Sequence, residues 1–156
     1  LVAYIEKIGE IIIARLLYWL TTLSILFTIN FSYAENDFYK QALKKFNKKD
    51  YDEAKFLFER SIVFNPKDAN SYLYLAKIFK EKENKREEEK NLNTTLLLDP
   101  SNEDATLRLM DISIERSNYS EVKELSEKFV KICKDLCKEN DRILESLKDL
   151  EPKNDS

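Results

Sequence analysis

Pro66 and Pro100 stand 34 residues apart, and each closes a similar three-residue phrase, Phe64-Asn65-Pro66 and Leu98-Asp99-Pro100. A fixed period of that size marks stacked repeats, in which each unit buries its apolar face against the next. Placing Pro66 at position 32 of a unit that begins at Glu35 starts the next units at Ala69 and Glu103. The first unit then carries Phe38, Ala42, Ala54, Phe58 and Ser61 at positions 4, 8, 20, 24 and 27. The second carries Tyr72, Leu75, Ala76 and Phe79 at 4, 7, 8 and 11, then Leu92 and Thr95 at 24 and 27. In the third, Leu109 and Met110 fall at 7 and 8, Tyr119 at 17, Val122 at 20 and Phe129 at 27. Positions 4, 7, 8 and 11 share one helical face, and 20, 24, 27 and 28 share another. Small residues at 8 and 20 let paired helices approach, and proline at 32 ends the second helix.

Composition narrows the function. The chain has no histidine, the commonest general base and metal ligand. Its one glycine, Gly9, precedes the repeats, so no phosphate-cradling loop is available and glycine-borne left-handed turns are not expected. Charged residues make up 35% with a formal net charge of −3, and no basic stripe for nucleic acid is present. No pair of carboxylates is recognisable as an acid–base dyad. The expectation is a chain that is not an enzyme, with no cofactor, no small-molecule substrate and no nucleic-acid partner.

Residues 16–34 contain no charge, follow Arg15 and end in Ser32-Tyr33-Ala34. Positive flank, apolar run and small-x-small ending form the pattern of a secretory signal peptide, with cleavage between Ala34 and Glu35. The alternative is a retained membrane anchor, since the run is long enough to span a bilayer. Both readings place the remainder outside the cytoplasm, periplasmic or secreted, or held at the cytoplasmic membrane. The Lys-, Asn- and Ile-rich composition suggests a bacterial source.

The register resembles that of the tetratricopeptide repeat family, whose large-x2-Leu-small-x2-aromatic…Ala-x3-aromatic…Pro pattern has the same period. Tyr72-x2-Leu75-Ala76-x2-Phe79 and Asp50-Tyr51-Asp52-Glu53-Ala54 carry the likeness, which covers about residues 35–134. It implies an all-α, right-handed α-solenoid of about three helix-turn-helix repeats, at 35–68, 69–102 and 103–134. A capping helix at 135–150 and a disordered tail at 151–156 complete the chain.

Departures from the pattern matter. Gln41 and Lys45 replace apolar residues in the first unit, and Leu43 and Phe46 can substitute if the face rotates. Glu88 occupies the small-residue position of the second unit. A carboxylate there is expensive to bury, so the helix pair is expected to splay or the helix to start after Glu87-Glu88-Glu89. That acidic run reads as a solvated face, and Glu88→Ala as neutral or stabilising. The third unit has Lys134 where proline is expected. Between Ser120 and Leu150 there is neither proline nor glycine, so one long helix or two with an N-cap at Asn140-Asp141 are both open. Cys133 and Cys137 are read chiefly as two small apolar residues on a buried seam. A disulfide is the alternative, strained within one continuous helix.

The resemblance also implies a groove lined by positions 2, 5, 9, 12 and 13 of each unit's first helix. Its candidates are Tyr39, Leu43 and Phe46, then Leu73, Lys77 and Lys80, then Leu107, Asp111 and Ile114. The expected occupant is an extended peptide or a helix of another protein. Repeat proteins that clamp a chaperone's terminal carboxylate use Lys, Asn, Asn, Lys and Arg at positions where this chain has Tyr39, Leu43, Tyr74, Asp104 and Arg108. Only Arg108 matches, which argues against that role.

Overall fold

The computed structural model describes residues 12, 13, 15–22 and 37–150, without the side chains of 149 and 150. A helical stretch over 15–22 lies apart in sequence from seven helices numbered here in chain order. These are α1 (37–47), α2 (Tyr51–Phe64), α3 (Ala69–Glu81), α4 (Lys85–Leu98), α5 (Glu103–Glu115), α6 (Tyr119–Ile132) and α7 (Cys137–Leu150). No strand occurs among the described residues. Consecutive helices pack on one another, and α7 rests on α5 and α6.

Three apolar clusters run along the stack. The first joins Ala42, Ala54, Leu57, Phe58, Leu75 and Ile78 across α1, α2 and α3. The second joins Leu73, Ala76, Leu92, Ala105, Leu109 and Ile112 across α3, α4 and α5. Met110, Val122, Phe129, Ile143 and Leu147 form the third, under α7. Ala42 and Ala54 are fully buried, so no side chain holds their helices apart. Leu43 and Phe46 are half-buried against the first cluster, while Gln41 faces water.

The turn inside each unit repeats one backbone device. Lys49, Glu83 and Ser117 all adopt positive φ, at 60°, 56° and 56°. The next amide in each case returns to a carbonyl five residues back: Asp50 to Lys45, Asn84 to Phe79 and Asn118 to Ser113. This is a Schellman-type helix end, which glycine usually supplies. The chain turns left-handed here on residues other than glycine. Asn65 and Asp99 shape the turns between units, each side chain accepting the amide two residues on, of Lys67 and Ser101. Asp68 then caps α3 and Asn102 caps α5.

Two further expectations are corrected. Glu88 is 1% exposed, and α4 begins before it at Lys85. Neither splaying nor a late start is needed, because the Arg108 guanidinium meets the carboxylate through Nε and through Nη2 at 3.3 Å. Glu89 is also engaged, with Arg116 at 2.7 and 2.6 Å, so the acidic run is not simply a solvated face. At the other end, Cys133 and Cys137 form a disulfide rather than two unbonded seam residues. The helix breaks between them, with extended backbone at Cys133, so the constraint of a continuous helix does not apply. The break precedes Asn140, which lies buried inside α7. The tail 151–156 falls outside the described residues.

Candidate partner-binding groove

Two adjoining cavities open along α3 and share Leu73, Lys77 and Asp104. The smaller, about 180 Å³, has an apolar floor of Leu73, Ala76 and Leu92. Lys77, Lys80 and Asp104 add charge to its lining, as does the largely buried Glu88–Arg108 pair. The larger, about 410 Å³, is bounded by Tyr39 of α1, Tyr74 of α3, the turn that leads into α5, and Asp135 and Leu136 from the link between α6 and α7. Helices of all three units therefore contribute to one trough.

Its aromatic wall is built of rings in mutual contact. Phe58 and Tyr74 stack at 5.2 Å between ring centroids, and Phe46 meets Tyr74 edge-on at 5.1 Å. Tyr39 packs edge-on against both Phe58 and Tyr74. Burial, then the neighbouring Tyr74 and Asp68, pushes the Tyr39 phenol up to about 12. It therefore presents a neutral hydroxyl at any physiological pH.

The charges are largely spoken for. Lys77 pairs with Asp104 at 2.7 Å and lies 5.3 Å from the Tyr74 ring centre. For Arg108, burial works against the charge, but hydrogen bonds and attraction from Glu88, then Asp111 and Glu115, hold its pKa above the ordinary value. Asp99 is held below the usual carboxylate range, chiefly by the Ser101 hydroxyl. Glu103 is also held low, above all by the Leu136 amide, with those of Lys134 and Asp135 adding to it. Lys80 is exposed at the rim. Among the described residues no group of three or more His, Cys, Asp or Glu is suited to a metal ion.

Of the groove candidates, Tyr39, Leu73, Lys77 and Lys80 come together on these cavities. Leu43 and Phe46 pack on the first apolar cluster, and Leu107 and Ile114 on the third. Asp111 sits 3.6 Å from Arg108 and lines neither cavity. Ala34 and Glu35 lie outside the described residues. Asn70 and Asp104 also line the trough; neither is among the groove candidates, although both fall at position 2 of their units. The walls from 99–102 and 135–136 come from turns, to which a helical-face rule does not reach.

No family model matches the sequence, and no curated protein matches it. Solved structures do. The TPR2B domain of yeast Sti1, solved as a complex with pHsp70, aligns over 76% of this chain and 98% of its own, at a TM-score of 0.67 and 17% identity. The Yersinia enterocolitica type III secretion chaperone SycD, solved with a peptide of the translocator YopD, aligns over 72% and 91%. Its TM-score is 0.65 at 13% identity. The fold is the tetratricopeptide-repeat α-solenoid. The Arabidopsis OM64 TPR domain shares it, at 18% identity, a TM-score of 0.65 and coverage of 74% and 95%. In this chain, Arg108 is occupied by Glu88 rather than open to a ligand carboxylate.

Proposed function

We propose that the chain is a non-catalytic protein-interaction scaffold, exported across the cytoplasmic membrane, that holds a peptide or helix of a partner protein in the trough along α3. The observation that carries this reading is the pair of adjoining cavities, one apolar-floored and one aromatic-walled, built from all three units. Such a surface offers an anchor pocket beside polar positioning groups, the usual composition of a peptide-binding groove. The fold neighbours from yeast and Yersinia, both solved with partner ligands, support it. The Cys133–Cys137 disulfide supports an oxidising compartment.

A second reading retains the N-terminal segment as an anchor for an accessory subunit of an envelope export or assembly machine. Leu16, Leu17, Trp19 and Leu20 favour it, each more than half exposed on the stretch over 15–22. Among the described residues no helix is long and apolar enough to cross a membrane. Mass spectrometry of the native N-terminus separates the two: a mature chain that begins at Glu35 excludes the anchor.

The groove is tested by cross-linked capture from the native envelope with the native chain and a Lys77→Glu/Lys80→Glu variant, whose fold is checked by circular dichroism. The variant is expected to lose partners that the native chain recovers. Equal yields of the same partners at physiological salt would reject the trough as the contact surface.

A further inference from the structure

The link between α6 and α7 is built unlike its two counterparts. In the first two units a proline restricts the turn, and Asn65 or Asp99 satisfies the amide two residues on. The third unit has Cys133 in place of the Asx residue and Lys134 in place of the proline. Its three amides, of Lys134, Asp135 and Leu136, instead donate to the Glu103 carboxylate at 2.9, 3.2 and 2.8 Å. The disulfide closes the loop that presents them, tying the end of α6 to the start of α7.

Local sequence does not impose this break. No proline or glycine occurs from Ser120 to Leu150, and Val122, Phe129, Leu136 and Ile143 recur every seventh residue. A continuous helix satisfies the same three amides internally and needs no carboxylate. It also carries Ile143 and Leu147 away from Met110 and Phe129, which they cover in the folded chain.

We propose that the Cys133–Cys137 disulfide is a redox clasp: oxidised, it holds the link on Glu103 and docks α7 as the cap of the third unit, and reduction releases both. Cys137 is exposed, so a thiol reagent can reach the bond. A dithiol reductant supplies two electrons and two protons; the S–S bond breaks, two thiols form, and the reductant leaves as its own disulfide. Closure runs in reverse, with a disulfide donor taking the two electrons and two protons. Asp135 and Leu136 line the larger cavity, so the clasp also sets the far wall of the trough. That last consequence rests on the proposed partner binding, whereas the clasp does not.

Hydrogen–deuterium exchange on the full chain tests it without a partner. The oxidised protein, the protein in dithiothreitol and a Cys133→Ser/Cys137→Ser variant are compared at one pH. Exchange through α7 is expected to rise at least tenfold on reduction and in the variant, with α2, α3 and α4 unchanged. If the variant does not fold, reduction of the native chain supplies the same readout. Unchanged protection of α7, or an equal loss over α2 to α4, overturns the clasp. Partner capture repeated in dithiothreitol bears on the groove reading alone.

Discussion

Removing the carboxylate of Glu88 separates the repeat pattern from the packing, because they predict opposite signs. By position, Glu88→Ala restores the small residue expected between the helices of a unit. In the structure it strands the Arg108 side chain, which is only 19% exposed, opposite an empty site. Breaking a buried ion pair by removing one partner costs about 3–5 kcal/mol. Arg108 keeps Asp111 at 3.6 Å and Glu115 at 3.8 Å, both more exposed, which puts the cost at the low end. The expected loss is about 3 kcal/mol, or roughly 10 °C in Tm for a domain of this size. Urea denaturation of native and variant chains measures it. A Glu88→Leu/Arg108→Met variant removes both charges at similar volume and is expected near native stability, since well-packed apolar replacements of a buried pair are often neutral. Comparison with the two single substitutions should give a coupling of at least ~2 kcal/mol. A Glu88→Ala loss below ~0.5 kcal/mol, or additive effects in the cycle, would refute the view that this pair holds α4 to α5.

Glu83→Gly should stabilise the chain by about 0.5–1 kcal/mol, because glycine takes positive φ without the Cβ clash. Denaturant midpoints check this, and a loss of stability would contradict the left-handed turn. Glu103 is held below its ordinary pKa in the folded chain, so its contribution is fully present above about pH 4.3 and is lost as pH falls through the lower folded value. Urea unfolding at stepped pH should therefore show a shallower acid limb for Glu103→Gln than for the native chain.

The repeat register was legible because it is local. Helical faces recur within about a dozen residues, and Pro66 and Pro100 end their helices wherever they stand. From the same pattern the buried positions of Ala54, Phe58, Leu75 and Ala76 could be read, and all four are buried; Phe79, also expected there, is half-buried. Tyr39, Leu73, Lys77 and Lys80 could be placed on a groove face for the same reason. The turn residues of the larger cavity could not, since a face rule covers only helices.

By itself, the sequence determined an all-α stack with a 34-residue period and the helix ends that proline and Asx residues set. Tertiary structure decided the rest. Glu88 is tolerable only because Arg108, twenty residues on, is brought against it by the packing of α4 on α5. Lys49, Glu83 and Ser117 turn left-handed because the helices on either side must fold back on each other, which outweighs a local preference of about 1–2 kcal/mol. Between Ser120 and Leu150 no proline or glycine forces a break, so one helix and two were both open. Burial of Ile143 and Leu147, the Glu103 carboxylate and one disulfide decide for two, and those interactions exist only once the chain has folded.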